Sequence, residues 1–205
     1  DVVAAYTLAA QGGVGAALEG SVATVDVAPS VKASITGGSI FALGDVDLQG
    51  MSDDALSAES LGVTLAGGLS AGVSDATATL GTRVSAVLDI PVTSTNNLVA
   101  GSLEVEALLS PEANTADNIP SALDILPPGS GAAVSATAGG ASGAVLLGAN
   151  AAAATATNDS SASALIEEGY IQLAIHPLPN SRTSSGALTV LAQDTTDQYA
   201  KADGL

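Results

Sequence analysis

Acidic residues at a recurring offset give this chain its clearest claim to chemistry. Asp53 and Asp54 follow Gly44, Glu112 follows Gly101 and Asp197 follows Gly186, each by nine to eleven positions. Stacked in one column, such acids would offer carboxylate oxygens to calcium, which takes about 6–8 oxygen ligands. Calcium is the one metal or cofactor these residues suggest. The spacing is not that of a dedicated loop, because neither Asp-x-Asp-x-Asp-Gly nor a Gly-Gly-x-Gly-x-Asp nonapeptide occurs. Asp45-Val-Asp47 and Glu104-Val-Glu106 alternate as outward strand positions do, which is the pattern of a solvated face.

Catalytic constellations are sparse. A Ser/His/Asp mechanism would rest on His176, the sole histidine, in the Pro-bounded stretch Ile175-His-Pro-Leu-Pro. No Gly-x-x-x-x-Gly-Lys-Ser/Thr phosphate loop is present. Paired carboxylates on a parallel β-helix are the chemistry of polysaccharide-active enzymes. A cleft joining two acids with a basic or aromatic residue would mark one. Lys32, Arg83, Arg182 and Lys201 are the whole basic set and there is no Trp, so such a cleft is poorly supplied. Asn158-Asp-Ser160 is the single Asn-x-Ser/Thr triplet and the one candidate glycan acceptor.

The elements that would carry these residues read as strands. Val31-Lys-Ala-Ser-Ile35, Ala76-Thr-Ala-Thr-Leu80, Leu103-Glu-Val-Glu-Ala107 and Val134-Ser-Ala-Thr-Ala138 alternate with period two. Gly, Asn, Asp and Pro punctuate the runs at turn positions. Ser52–Ser60 and the Ala-rich Ala149–Ala156 hold helix formers, yet both merge into alternation and are read as strand and turn. Ile125–Asn158 carries no charge, but its apolar residues are mostly Ala, interrupted by Pro and Gly. That is not a spanning helix of about 20 strongly apolar residues.

The strands recur in order. Gly44-Asp-Val-Asp-Leu, Gly101-Ser-Leu-Glu-Val and Gly186-Ala-Leu-Thr-Val share one pattern, and glycine pairs at Gly12/Gly13, Gly67/Gly68 and Gly139/Gly140 echo one another. Repetition of this size implies coils that bury their apolar faces on neighbours. One array of three repeats, 12–66, 67–138 and 139–205, is expected, with loop insertions at 117–131 and 169–184. Three coils of about 19 residues in each long repeat would stack to a rod on the order of 50 Å. Recognition of a partner is assigned to the two insertions, where loops vary without breaking the stack.

Composition limits what the array can do. The apolar fraction is 47%, but aromatics are 2%, so the core must be thin and built of Ala, Val and Leu. A net charge of −17 with four basic residues excludes a nucleic-acid footprint and docking on anionic lipid. Without Cys there are no disulfides or thiolate sites. Neither end reads as a cap, so further repeats or self-association are expected to continue the stack.

The Gly-Gly-x-x-x-Gly pattern, the alternating Ala/Val strand, Val31-Lys-Ala-Ser-Ile35 and the Gly-Asp-Val-Asp-Leu strand follow one another in a fixed order. In that order they resemble the long repeats of giant bacterial filamentous adhesins, the haemagglutinin-like and leukotoxin-type surface proteins. The resemblance is good over residues 8–116 and looser over 132–205. It implies a right-handed parallel β-solenoid, secreted and displayed as a fibre on the cell surface, with a cell-surface or glycan ligand. The expected fold is therefore an all-β parallel solenoid with Ala/Val/Leu ladders inside and Ser/Thr/Asp outside. The alternative is a β-sandwich of a fibre-forming, pilin-like subunit, where an exposed strand completes a neighbour. The expected role is a non-catalytic structural segment or subunit of an extracellular filament or adhesin. A calcium-dependent surface-layer or sheath protein is the alternative, with a β-helix polysaccharide enzyme behind it.

Overall fold

A computed structural model describes residues 2–91, 97–110, 133–173 and 186–204. The described residues form strands joined by short turns. The first coil runs β1 (Val2–Gly13), β2 (Ala16–Val27), β3 (Ser30–Thr36), β4 (Ile40–Phe41) and β5 (Val46–Asp53). The second runs β6 (Ala55–Ala66), β7 (Leu69–Leu80), β8 (Arg83–Asp89), β9 (Leu98–Ala100) and β10 (Leu103–Ser110). The third runs β11 (Val134–Ala144), β12 (Leu147–Asn158), β13 (Ser161–Glu168), β14 (Ile171–Leu173) and β15 (Leu188–Asp194), and β16 (Gln198–Gly204) opens a fourth.

Each strand pairs with its counterpart in the next coil, always in parallel, giving five sheets. The first sheet is β1-β6-β11-β16, the second β2-β7-β12, the third β3-β8-β13, the fourth β4-β9-β14 and the fifth β5-β10-β15. The chain is an all-β parallel solenoid. The β-sandwich alternative requires antiparallel hairpins, and none of the described pairings is antiparallel.

The coil is larger than expected. Stacked partners lie 53 positions apart at Ser21 and Ser74 and 57 apart at Asp45 and Ser102. A whole long repeat is therefore one coil, not three. With four layers in its first sheet, the stack rises only about 14 Å at 4.8 Å per layer. It is a broad slab rather than a 50 Å rod. Period-two alternation marks a strand but not where a coil closes.

The slab has two layers. The first sheet packs on the second and the fifth on the third, while the fourth closes one end. The opposite end is the turn between β1 and β2 and its counterparts. There Gly67 and Gly68 stack on Val14 and Gly15 so closely that a Cβ on either would strike a backbone carbonyl oxygen. The ladder continues through the turns: Gly67 N donates to Gly13 O at 3.0 Å, and Gly81 N to Val27 O at 2.9 Å. Residues 169–173, expected to begin an insertion, instead hold β14, which pairs with Leu98–Ala100. The remainder of that insertion, and all of 117–131, lie outside the described residues.

Inward columns of small aliphatic residues make two apolar cores. One lies between the first and second sheets and is built of Ala23, Val25, Leu56, Ala76, Ala78, Leu80, Val134 and Ala136. The other lies among the third, fourth and fifth sheets, from Val84, Leu88, Ile90, Leu98, Leu103, Val105 and Leu109. No described aromatic belongs to either core, and Phe41 and Tyr170 are exposed. The leucines therefore carry most of the burial, each contributing about 1.5–3 kcal/mol. Leu88→Ala, at a fully buried site, is expected to cost about 2–5 kcal/mol. Leu165→Ala, half exposed one coil away, is expected to cost less than about 1 kcal/mol, because little buried contact is lost. Equal losses in urea midpoint for the two variants would contradict this assignment of the core.

Candidate functional site

The repeat glycines do stack. β5, β10 and β15 pair so that Val46, Leu103 and Leu188 form one column, each two positions after its glycine. The described acids that follow do not. Asp53 stacks on Ser110, whose hydroxyl donates to its carboxylate, and Asp194 lies in the next column on Leu109. Asp197 falls beyond β15, where its carbonyl accepts from Val134 N at 3.2 Å. Glu112 lies outside the described residues. Among the described residues no three His, Asp or Glu side chains gather as metal ligands. Counting from a glycine missed this because neighbouring residues on a strand face opposite sides.

Asp53 and Asp54 illustrate the point. Asp53 is exposed on the outer face, whereas Asp54 turns inward and is 4% exposed. Its Oδ2 accepts from Ser52 Oγ at 2.8 Å and from the buried Thr82 Oγ1 at 2.7 Å. These residues sit where β5 passes into β6 and β7 into β8, at the waist between the two cores. Asp54 is a structural acid that bridges the layers.

The outer face of the fifth sheet is acidic, as the alternation predicted. Asp47 stacks on Glu104 and Gln49 on Glu106. Gln49 Nε2 donates to Glu106 Oε2 at 2.5 Å, and this bond and one from Glu104 hold the Glu106 carboxyl below its ordinary range. The shared proton and the charge of Glu106 raise Glu104. Ser102 Oγ donates to Asp45 Oδ1 at 2.6 Å in the same strip.

At the waist a surface groove of about 510 Å³ is lined by Asp26, Pro29, Thr79, Arg83 and Asp159. It joins two acids and one base, the combination that the basic-poor composition made improbable. In-register stacking produces it, by setting the ends of β2, β7 and β12 beside one another.

The candidate glycan acceptor occupies an unexpected place. Asn158 falls in the inward column of Val27 and Leu80. Its Nδ2, the atom a glycan would take, donates to Thr196 Oγ1 at 2.6 Å, and its Oδ1 accepts from Ser160 N at 3.1 Å. A sugar there would take one of the two Nδ2 hydrogens and leave a single N–H for Thr196. His176 lies outside the described residues.

Three features escaped the reading of the sequence. The turn end of the slab is apolar on its outside: Val14 is 97% exposed and Val145 80%, with Leu18, Leu69 and Leu147 on the outer face of the second sheet. The interior behind that turn is polar, with Ser21, Ser60, Thr64 and Ser74 buried. Finally, the glycine pairs do not align: Gly68 stacks on Gly15, and Gly140 pairs with Gly62.

No family model matches the chain, and comparison with curated proteins and with solved structures yields no match. No helix among the described residues is long and apolar enough to cross a membrane.

Glu59 provides the pH dependence. It stacks between Tyr6 and Thr137, is 6% exposed, and its Oε1 has no partner. Burial raises its carboxyl above 4.5, so the folded chain holds this proton more tightly than the unfolded chain. The associated stability is complete below the unfolded value and is lost as pH climbs through the raised one. Glu59→Gln is expected to match the wild type near pH ~4 and to exceed it near pH ~7 in urea midpoint. An advantage for the wild type that grows with pH would contradict this.

Proposed function

We propose that this chain is a non-catalytic structural segment of an extracellular, cell-surface filament of the adhesin type, built by continuing its coils. The observation that carries the reading is the pair of open faces on the slab. Among the described residues β1 to β5 each pair on one side only, and so do β12 to β16. Each face presents a row of backbone donors and acceptors about 4.8 Å from where a further coil would lie. The partner that satisfies such a row is another β-edge with the same outline, either further coils or a second copy. The resemblance to filamentous adhesin repeats supports the extracellular setting, and the −17 charge supports solubility of a long array and resists lateral clumping.

One observation favours a second reading. The groove holding Asp26, Asp159 and Arg83 has the acids and the base that a polysaccharide-active β-helix would use. No aromatic platform lines it, so the structural reading stands first. Depolymerisation of a polysaccharide by the protein, abolished by Asp26→Asn, would reverse that order.

Assembly is the test of the structural role. The chain is expected to sediment as species that lengthen with concentration, giving threads with a fibre reflection at about 4.8 Å along their axis. A single monomeric species at high concentration, with no end-to-end growth, would overturn it.

A further inference from the structure

The polar interior behind the turn contains a charge that nothing described in the chain compensates. Glu19 is partly buried and points inward from β2, and both its carboxylate oxygens are buried with no hydrogen-bond donor from the described residues. In its column Gly72 lies next and Asn150 beyond. The middle layer therefore has no side chain, and the two outer ones lean into it. A methyl group built on Gly62 would lie 3.3 Å from Glu19 Oε1, 2.7 Å from Ser74 Oγ and 3.6 Å from Ser21 Oγ. One built on Gly72 would lie 3.1 Å from Asn150 Oδ1 and 3.5 Å from Thr64 Oγ1. Thr64 is fully buried, yet its hydroxyl has no partner, and Asn150 Nδ2 has none either.

We propose that this compartment binds one monovalent alkali cation between Glu19 and Asn150, in the layer of Gly62, Thr64 and Ser74. The chemistry of the donors selects the ion. All are hard oxygens, suited to a hard cation. The serine hydroxyls bond to one another, Ser21 to Ser60 at 2.7 Å and Ser21 to Ser74 at 3.2 Å, and none donates to the carboxylate. An isolated buried carboxylate is costly unless it is paired or protonated. The compartment holds one formal negative charge, so a monovalent ion brings it to zero. A divalent ion would leave a net positive charge in a low-dielectric interior, which is again unfavourable. The Asn150 amide already presents its Oδ1 to that layer, 3.1 Å from where a methyl group on Gly72 would lie. The site differs from the acids of the outer face, which remain in water.

Thermal unfolding of the whole chain decides the matter, measured in NaCl, KCl and N-methylglucamine chloride at equal ionic strength so that surface screening is constant. Wild type is expected to melt about 3–6 °C higher in the better alkali salt than in the organic salt, once the free ion reaches about tenfold its dissociation constant. Glu19→Gln, which keeps the volume and removes the charge, is expected to abolish the difference. Millimolar calcium at the same ionic strength is expected to give no comparable gain. Identical wild-type melting in all three salts would overturn the proposal, and this arm needs no variant to fold. So would a selective gain that survives in Glu19→Gln, or a larger gain with calcium.

Discussion

The in-register parallel ladder is the constraint from which the rest of this structure follows. Backbone groups of the middle coil are paired with the coils on either side, including at turns such as Gly81 N to Val27 O. Each residue therefore sits about 4.8 Å from its counterpart in the next coil. That proximity is unforgiving. Like charges in one column repel, large residues in one column crowd, and a register slip by one residue would turn the core to solvent. Ala76, Ala154 and Ala23 in one inward column, and Thr24, Thr77 and Thr155 in one outward column, show how the chain meets it.

The same constraint explains why so few aromatic residues suffice. A core only two sheets deep is filled by Ala, Val and Leu, and successive coils cover one another's edges. It also explains the gradation across the slab, from the leucine-rich core through the Asp54–Thr82 waist and the alanine-rich core to the polar compartment behind the turn. Where Gly62, Gly72 and Gly140 thin the columns, Glu19 and Asn150 find room. Where the layers cannot both be apolar, hydroxyls and one acid bridge them.

Much of this was legible in the residues, and the parts that were not have physical reasons. Strand type and the stacking of Gly44, Gly101 and Gly186 follow from alternation and from a motif that recurs with little change. The length of the coil was hidden because the bends between β2 and β3, or β5 and β6, interrupt the alternation no more than an ordinary turn does. The glycine pairs misled because Gly12 and Gly67 are alike in type, although Gly67 stacks on Val14. The polar compartment was missed because Ser and Thr serve equally on a wet face or inside a hydrogen-bonded interior. The acids separated because Asp53 and Asp54 lie on opposite sides of one strand end. The groove of Asp26, Arg83 and Asp159 joins residues far apart in sequence, and only the register of the coils brings them together.

Disulfide trapping tests the central claim, one full repeat per coil in parallel register, and the absence of native cysteine makes it clean. Thr77 and Thr155 are outward partners on β7 and β12, within the Cα separation of about 4.4–6.8 Å that a disulfide spans. Cysteines at these two positions are expected to cross-link rapidly under mild oxidation with unchanged β-structure. Cysteines at Thr77 and Ala153 lie on the same face but two residues out of register, about 8 Å apart, and are expected to stay reduced. Failure of the first pair, or equal cross-linking of both, would contradict the register and with it the one-coil repeat.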